Sequence, residues 1–149
     1  MDRYAHWFLA IVWVTLGATG LILSLGKSVL LPLIGYTLFS WLAILSKNLH
    51  NFVGPLFAIS AVLLFINYLP SNLPSRDDVR WLMKAGGMLG GEHPPSGRFN
   101  AGEKIVFWGG LLFLGVFVIA SGFALDKIVP GLELTRPQMQ VVHIVHAVA

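Results

Sequence analysis

The first apolar stretch of the chain, residues 4–26, reads YAHWFLAIVWVTLGATGLILSLG and contains no Asp, Glu, Lys or Arg. Two further stretches share this property, residues 48–75 and residues 105–125. A helix that crosses the hydrocarbon core of a bilayer needs roughly 20 consecutive apolar residues, so each stretch is long enough. The sequence therefore predicts an all-α integral membrane protein.

The composition agrees with a membrane protein and excludes several kinds of site. Of the 149 residues, 56% are hydrophobic and 11% are charged, whereas soluble domains carry about 25% charged residues. Cysteine is absent, which excludes disulfides, thiolate metal sites and cysteine nucleophiles, and an iron–sulfur cluster is not expected because thiolates are its usual ligands. The net charge of +3 is explained by basic residues near lipid headgroups, and no clustered basic patch indicates nucleic acid binding.

The apolar stretches predict a four-transmembrane-helix bundle. The helices cover about residues 5–25, 49–69, 104–125 and 137–149, and a polar loop rich in Pro and Gly covers residues 71–103. A short helix near residues 77–88, capped by Ser75, is expected in this loop. The first stretch is longer than the apolar region of a signal peptide, so we expect a retained helix. The fourth helix is expected to be truncated, because at about 1.5 Å per residue it cannot cross a core of roughly 30 Å.

Residues 28–46 allow two interpretations. They are apolar, but they contain Pro32 and Gly35 and lie between Lys27 and Lys47. We favour a partly immersed surface segment over a fifth membrane helix. In the four-helix arrangement, six positive charges then lie on one side of the membrane and four on the other. The six are Arg3, Arg76, Arg80, Lys84, Arg98 and Lys104, and the four are Lys27, Lys47, Lys127 and Arg136. This excess predicts that the N-terminus and the loop 71–103 are cytoplasmic.

Histidine is almost the only ionisable residue in the predicted helices, and ionisable residues within membrane helices tend to mark function. His6 begins the first helix, His50 begins the second, and His143 and His146 lie near the start of the fourth, while His93 lies in the loop. An alternative is that histidines at helix ends form hydrogen bonds to headgroups or backbone. Metal binding by His143 with His146 would need carboxylates, which this helix lacks.

His50 and His146 are predicted to lie at the same depth, because the second and fourth helices run in the same direction under either interpretation of residues 28–46. Two neutral imidazoles at one level can hold haem iron from both faces, and haem b needs no covalent cysteine. Several small residues would let a flat macrocycle approach the helices, or would let the helices pack closely: Gly17, Gly20, Gly54, Gly109, Gly110, Gly115 and Gly122.

Four motifs, in order along essentially the whole chain, resemble the gamma subunit of membrane-bound formate dehydrogenase, a di-haem cytochrome b family. They are DRYAHW (2–7), LHNFVG (49–54), RFNAGEK (98–104) followed by Phe107-Trp108, and HIVHA (143–147). The NAGEK motif before a helix that begins with Phe-Trp is the most specific of them.

The resemblance implies two stacked b haems, of which His50 and His146 would ligate the one nearer the periplasm. His6 would ligate the haem nearer the cytoplasm, with a partner expected beyond Ala149. Asn100 and Gly102 match the loop beside the family's quinone pocket. Asn100 also suits the N-cap of the third helix, and both roles can hold at once.

The implied function is electron relay in the bacterial inner membrane. An alpha subunit with molybdenum or tungsten would oxidise formate, an iron–sulfur beta subunit would carry the electrons, and this chain would pass them to quinone without oxidising formate itself. The nearest alternative is the cytochrome b subunit of a nickel–iron hydrogenase or of a thiosulfate reductase. An alternative of another class is a haem-free membrane transporter or scaffold.

Overall fold

The computed structural model describes residues 2–89 and 94–149, and within these residues it contains helices and no β-strand. The helices are α1 (Asp2–Val29), α2 (Leu31–Tyr68), α3 (Arg76–Met83), α4 (Ala101–Leu125) and α5 (Arg136–Val148). Of these, α1, α2 and α4 are long and apolar enough to cross a membrane. The predicted all-α integral membrane fold is thereby confirmed. Of the five histidines, His93 lies outside the described residues.

A tight turn at Leu30 joins α1 to α2. The Leu30 N–H donates to the Gly26 carbonyl at 2.8 Å, and the Ile34 N–H donates to the Leu30 carbonyl at 2.9 Å. Beside the turn the two helices touch, because a Cβ atom added to Gly26 would lie 2.8 Å from a ring carbon of Phe39. A side chain at this position would therefore force the Phe39 ring to move.

Helix α2 is longer than the sequence predicts. Its backbone leaves helical geometry only at Gly35 (φ 76°, ψ 168°), a conformation that glycine adopts without steric cost. Residues 36–46 are continuous with the helix that carries His50, so they form neither a surface segment of their own nor a separate fifth helix. Lys47 does not interrupt the helix because its side chain is exposed. His50 consequently lies well inside a helix and not at its start.

One compact unit comprises Met1–Val62 and Phe117–Ala149. Its buried apolar cluster consists of Val12, Val53 and Phe57, with Leu9, Leu16, Val118 and Ile119 packed around it. The Asn51 amide donates a hydrogen bond to the Asp126 carboxylate, which connects α2 to the turn after α4. Many large apolar side chains of this unit are exposed, including Ile11, Val14 and Val62, as expected for a surface in contact with lipid.

The second compact unit, Leu63–Val116, contains most of the predicted loop 71–103. The helix expected near residues 77–88 is the shorter α3, followed by a 3-10 turn at Ala85–Gly87. Ser75 precedes α3, and both its backbone N–H (2.6 Å) and its hydroxyl (2.9 Å) donate to the Asp78 carboxylate. The residue expected as a cap is therefore part of a reciprocal capping box.

Helices α4 and α5 begin close to the predicted positions. Helix α4 starts at Ala101 where the sequence indicates about residue 104, and its stretch Val106–Leu114 is π-helical, a form with hydrogen bonds between residues five apart. Helix α5 follows Thr135, whose N–H and hydroxyl donate to the Gln138 side-chain oxygen at 2.8 and 2.9 Å.

Candidate functional site

The structure brings together His50 of α2 and His146 of α5. Their ring centroids lie 6.0 Å apart and their planes are inclined by 79°, and both side chains are partly buried. An imidazole nitrogen bonds a metal ion at about 2 Å, so two rings that share one metal from opposite sides have centroids roughly 6 Å apart. The spacing of the two rings fits that arrangement.

Each ring uses its Nδ1 atom to contact a hydroxyl on a neighbouring helix. The Thr19 Oγ1 atom lies 2.8 Å from His50 Nδ1, and the Ser121 Oγ atom lies 2.9 Å from His146 Nδ1. His146 Nδ1 also lies 3.1 Å from the Val118 carbonyl oxygen. Since a carbonyl oxygen can only accept, this nitrogen must be the one that carries the hydrogen.

The same proton position follows for His50 from the neighbours of Thr19. The Thr19 hydroxyl donates its one hydrogen to carbonyls of its own helix, at 2.8 Å from the Thr15 oxygen and 3.2 Å from the Leu16 oxygen. With its hydrogen on one of these carbonyls, Thr19 Oγ1 accepts from His50 Nδ1. Within the described part of the chain, no hydrogen bond is made to Nε2 of His50 or of His146. Both Nε2 lone pairs are consequently available to a metal, which is the usual arrangement of a metal-binding histidine.

Two glycines make room for the imidazoles. A Cβ atom added to Gly20 would lie 3.4 Å from Cε1 of His50, and one added to Gly122 would lie 3.1 Å from Cε1 of His146. By contrast, Gly17, Gly54 and Gly109 face open space, with nothing within 4 Å of an added Cβ. Among the glycines that the sequence analysis grouped together, the structure thus singles out the two that adjoin the histidine pair.

The other histidines are placed apart from this pair. His6 is exposed near the start of α1, where its ring contacts that of Trp7 at 6.1 Å between centroids. His143 is exposed on α5, although it is only one turn from His146. In residues 2–89 and 94–149 no group of three or more His, Cys, Asp or Glu side chains is arranged to hold a metal ion.

Asn100 and Gly102, the predicted quinone residues, lie at the start of α4. The Asn100 Oδ1 atom accepts from the Glu103 N–H at 2.9 Å, and the Glu103 carboxylate accepts from the Asn100 N–H at 2.8 Å. Asn100 is thus the N-cap of α4, one of the two roles expected for it. The ring of Trp81 covers Gly102, since an added Cβ would lie 3.2 Å from the ring carbon Cη2.

Lys104 and Trp108 connect the start of α4 to the segment after α2. The Lys104 ammonium donates to the Leu73 carbonyl at 3.0 Å and to the Asp78 carboxylate at 2.8 Å, and the Trp108 N–H donates to the Asn72 carbonyl at 2.9 Å. The hydrogen bond from Lys104 lowers the pKa of the Asp78 carboxyl from its ordinary value. The carboxylate therefore stays ionised and keeps its partners over the physiological range.

Thr19 and Ser121 were not among the site residues predicted from the sequence. A signal was present, because the triplets Ala18-Thr19-Gly20 and Ala120-Ser121-Gly122 repeat one pattern of small residue, hydroxyl and glycine in two apolar helices. In each triplet the hydroxyl contacts the Nδ1 atom of a histidine, and the following glycine leaves space for the same ring.

The fold and the site together define a helical membrane protein with two neighbouring, partly buried histidines whose Nε2 atoms make no hydrogen bond within the described residues. The chain matches the prokaryotic cytochrome b561 family over residues 2–149 and belongs to that family. A cytochrome b family implies haem b as the prosthetic group, and the two free Nε2 atoms with their 6.0 Å ring spacing fit it.

The chain is similar to cytochrome subunits of formate dehydrogenases. It is 31% identical over 128 residues to the formate dehydrogenase cytochrome b556(fdo) subunit of Escherichia coli K12, and 26% identical over 130 residues to the nitrate-inducible cytochrome b556(Fdn) subunit of the same organism, in each case over 81% of this chain and 55% of the relative. A Haemophilus influenzae cytochrome b556 subunit is 27% identical over 115 residues, which are 71% of this chain and 44% of the relative. The chain thus spans about half the length of these curated relatives.

Proposed function

We propose that this chain is the haem b-binding membrane subunit of a formate dehydrogenase and relays electrons from an iron–sulfur subunit to quinone. The observation that carries the proposal is the pairing of His50 with His146, each with Nδ1 bound to the protein and Nε2 free. The similarity to formate dehydrogenase cytochrome subunits supports the choice of complex.

The protein contributes ligation and a defined environment. His50 and His146 would hold the haem through their Nε2 atoms, and Gly20 and Gly122 keep the space that the two imidazoles occupy. The haem supplies one-electron redox chemistry when bound. The chain's own means of adjusting that chemistry would be the two imidazoles, the hydrogen bonds to them and their burial among apolar helices.

The partners and the second haem are proposed from the family resemblance. His6, which is exposed on α1, would contribute to a haem nearer the cytoplasm. An iron–sulfur beta subunit would deliver electrons from an alpha subunit that contains molybdenum or tungsten, and the complex would reside in the bacterial inner membrane. The three apolar helices support the membrane location.

Quinone reduction is proposed at the start of α4. The N-cap contact of Asn100 uses Oδ1 and not the amide nitrogen Nδ2. Nδ2 can therefore donate a hydrogen bond to a quinone carbonyl. Gly102 leaves the neighbouring backbone without a side chain, although the Trp81 ring lies over it. The quinone headgroup would therefore approach Asn100 beside the indole.

Substitution of the two histidines tests the proposal. In the purified complex, His50→Ala and His146→Ala should each abolish the same b-haem band in reduced-minus-oxidised absorption spectra, because bis-imidazole ligation fails when either ligand is lost. His143→Ala is the matched control, since this exposed histidine is on the same helix as His146, and it should retain the band. Full haem content in both of the first two variants would refute the assignment.

The choice of complex requires a separate measurement. The purified assembly should reduce an artificial dye with formate, and its partner subunits should be identified by mass spectrometry. Dye reduction with hydrogen, or co-purification of a thiosulfate-reducing subunit, would assign the chain to another complex. Absence of any b-haem band in the wild-type protein would indicate a haem-free membrane protein.

A further inference from the structure

Two buried hydroxyls occupy equivalent positions next to the histidine pair. The exposed fractions of Thr19 on α1 and Ser121 on α4 are only 6% and 7%. Each is followed by the glycine that adjoins the same imidazole, so the pattern hydroxyl–glycine–imidazole occurs twice with different helices. The repetition indicates that the hydroxyls serve the histidines.

The carbonyls beside each hydroxyl indicate which group donates in the contacts of Thr19 with His50 and of Ser121 with His146. Thr19 donates its hydrogen to the Thr15 carbonyl at 2.8 Å, and Ser121 donates to the carbonyls of Phe117 and Val118. A hydroxyl has one hydrogen, and when that hydrogen points to a carbonyl of its own helix the oxygen accepts from the imidazole. The contacts of 2.8 and 2.9 Å are therefore Nδ1–H···O hydrogen bonds that leave Nε2 unprotonated.

We propose that Thr19 and Ser121 are positioning residues that hold the two imidazoles in the Nδ1-protonated form and lower the reduction potential of the group ligated between them. This inference rests on the proposed haem ligation by His50 and His146. Hydrogen bonding at the outer nitrogen fixes the tautomer and the ring orientation, and it raises the basicity of the ligating nitrogen. A more basic ligand stabilises the oxidised iron more than the reduced iron, so the potential falls.

A purely structural role makes a different prediction. Serine and threonine hydroxyls in membrane helices commonly bond to a carbonyl of the preceding turn without any further function. Thr15 is such a residue on α1, since its hydroxyl donates to the Ile11 carbonyl at 2.8 Å. If Thr19 acted only in this way, its removal would change helix stability but not the potential of the haem.

The test uses the full chain in its assembled membrane complex. Thr19→Val preserves the shape of the side chain and removes the acceptor, and Ser121→Ala does the same for the second ring. Thr19→Ser and Ser121→Thr retain the hydroxyls as conservative variants. Thr15→Val and Ser60→Ala are matched controls, because both remove hydroxyls that bond to their own helix. Haem content and the midpoint potential are measured by spectroscopic redox titration.

We expect Thr19→Val to keep its haem and to raise the ratio of reduced to oxidised haem at a fixed potential by about three- to tenfold, the range of one hydrogen bond. Tenfold corresponds to about 59 mV for one electron. Ser121→Ala should give an increase in the same direction, although the Val118 carbonyl remains 3.1 Å from His146 Nδ1. The conservative variants and both controls should match the wild type.

Two other results would also decide whether the hydroxyls act on the haem: an unchanged midpoint potential, or loss of haem that a conservative variant does or does not restore. Haem-replete Thr19→Val with an unchanged potential would overturn the positioning role while leaving the histidine ligation intact. If Thr19→Val loses its haem, restoration by Thr19→Ser would support the hydroxyl, and loss in both variants would overturn it. Failure of the proposed ligation is recognised separately, because His50→Ala would then retain the haem band.

Discussion

In the unit Met1–Val62 with Phe117–Ala149, buried polar groups surround two imidazoles, whereas in the unit Leu63–Val116 they fasten the segment after α2 to the start of α4. The first set leaves the Nε2 atoms of His50 and His146 unused by the protein. The second set pairs the Lys104 ammonium with a carboxylate and a carbonyl. The first unit therefore has coordinating atoms that the described residues leave unpaired, whereas the second uses its polar groups to stabilise the chain.

The two units also use glycine differently. Gly20 and Gly122 leave space beside the imidazoles of His50 and His146, while Gly102 leaves space that the Trp81 ring fills. In the first unit the side chain next to each glycine has a free coordinating atom, and in the second the neighbour is an indole already in van der Waals contact. Substitutions in each unit should therefore affect different measurements.

The largest effect is expected from Gly122→Ala. The added Cβ would lie 3.1 Å from His146 Cε1, so the ring must shift by a few tenths of an ångström, whereas Gly20→Ala gives an ordinary contact of 3.4 Å with His50. We expect haem occupancy to fall several-fold in Gly122→Ala and only slightly in Gly20→Ala, measured as the ratio of haem to protein.

Gly17→Ala is the control for this comparison, because an added Cβ there meets nothing within 4 Å. It reports the gain of about 1 kcal/mol in helix propensity that any glycine-to-alanine change brings. Equal haem occupancy in the Gly122→Ala and Gly17→Ala proteins would show that the space at Gly122 is not needed by the histidine.

A smaller effect is expected from Asn100→Asp. Aspartate can accept the hydrogen bond from Glu103 that Asn100 accepts, so the cap of α4 should persist, but the Nδ2 donor is lost. If Asn100 binds quinone, turnover with quinone should slow several-fold, while haem content and dye-linked formate oxidation stay unchanged.

Asn100→Ala provides the contrast, because it removes the cap as well as the donor and should lower helix stability by about 1 kcal/mol. Normal quinone turnover in Asn100→Asp, together with reduced stability in Asn100→Ala, would assign Asn100 to capping alone and remove it from the quinone site.

Much of the architecture follows from the sequence because charge-free runs long enough to cross a bilayer have few alternatives. The juxtaposition of His50 with His146 was anticipated from their common depth. The extent of α2 was not anticipated, since Lys47 was treated as a boundary and Gly35 as a break. A lysine can project from a continuous helix, and although the backbone does leave helical geometry at Gly35, the helix resumes at the next residue and continues past Lys47.

The contacts that require tertiary structure could not be predicted. Hydroxyls in membrane helices usually bond to their own backbone, so nothing local distinguishes Thr19 from Thr15 until His50 is placed beside it. The Trp81 ring reaches Gly102 only because the segment between α2 and α4 folds back on itself. Helical periodicity in the sequence does not indicate where a loop segment folds back onto a helix.

The smallest effect is expected from Lys104→Met, which removes the ammonium but keeps the length of the side chain. Lys104 and Asp78 are largely buried, with exposed side-chain fractions of 12% and 16%. At pH 7 the variant complex should melt a few degrees below the wild type, because Asp78 keeps its charge and loses its principal partner. The hydrogen bond from Lys104 lowers the pKa of Asp78 in the folded protein, so the stability from this pair is fully present above the usual carboxyl pKa of about 4 and is lost as the pH falls through the lowered value. The difference in melting temperature between the variant and the wild type should therefore disappear at acidic pH.

Arg80→Met is the control. Its pair with Asp77 is 3.4 Å long, the side chains are 69% and 48% exposed, and such surface pairs contribute little. A loss that is equal in the two variants, or independent of pH, would show that Lys104 stabilises the segment through its apolar stem and not through the ion pair.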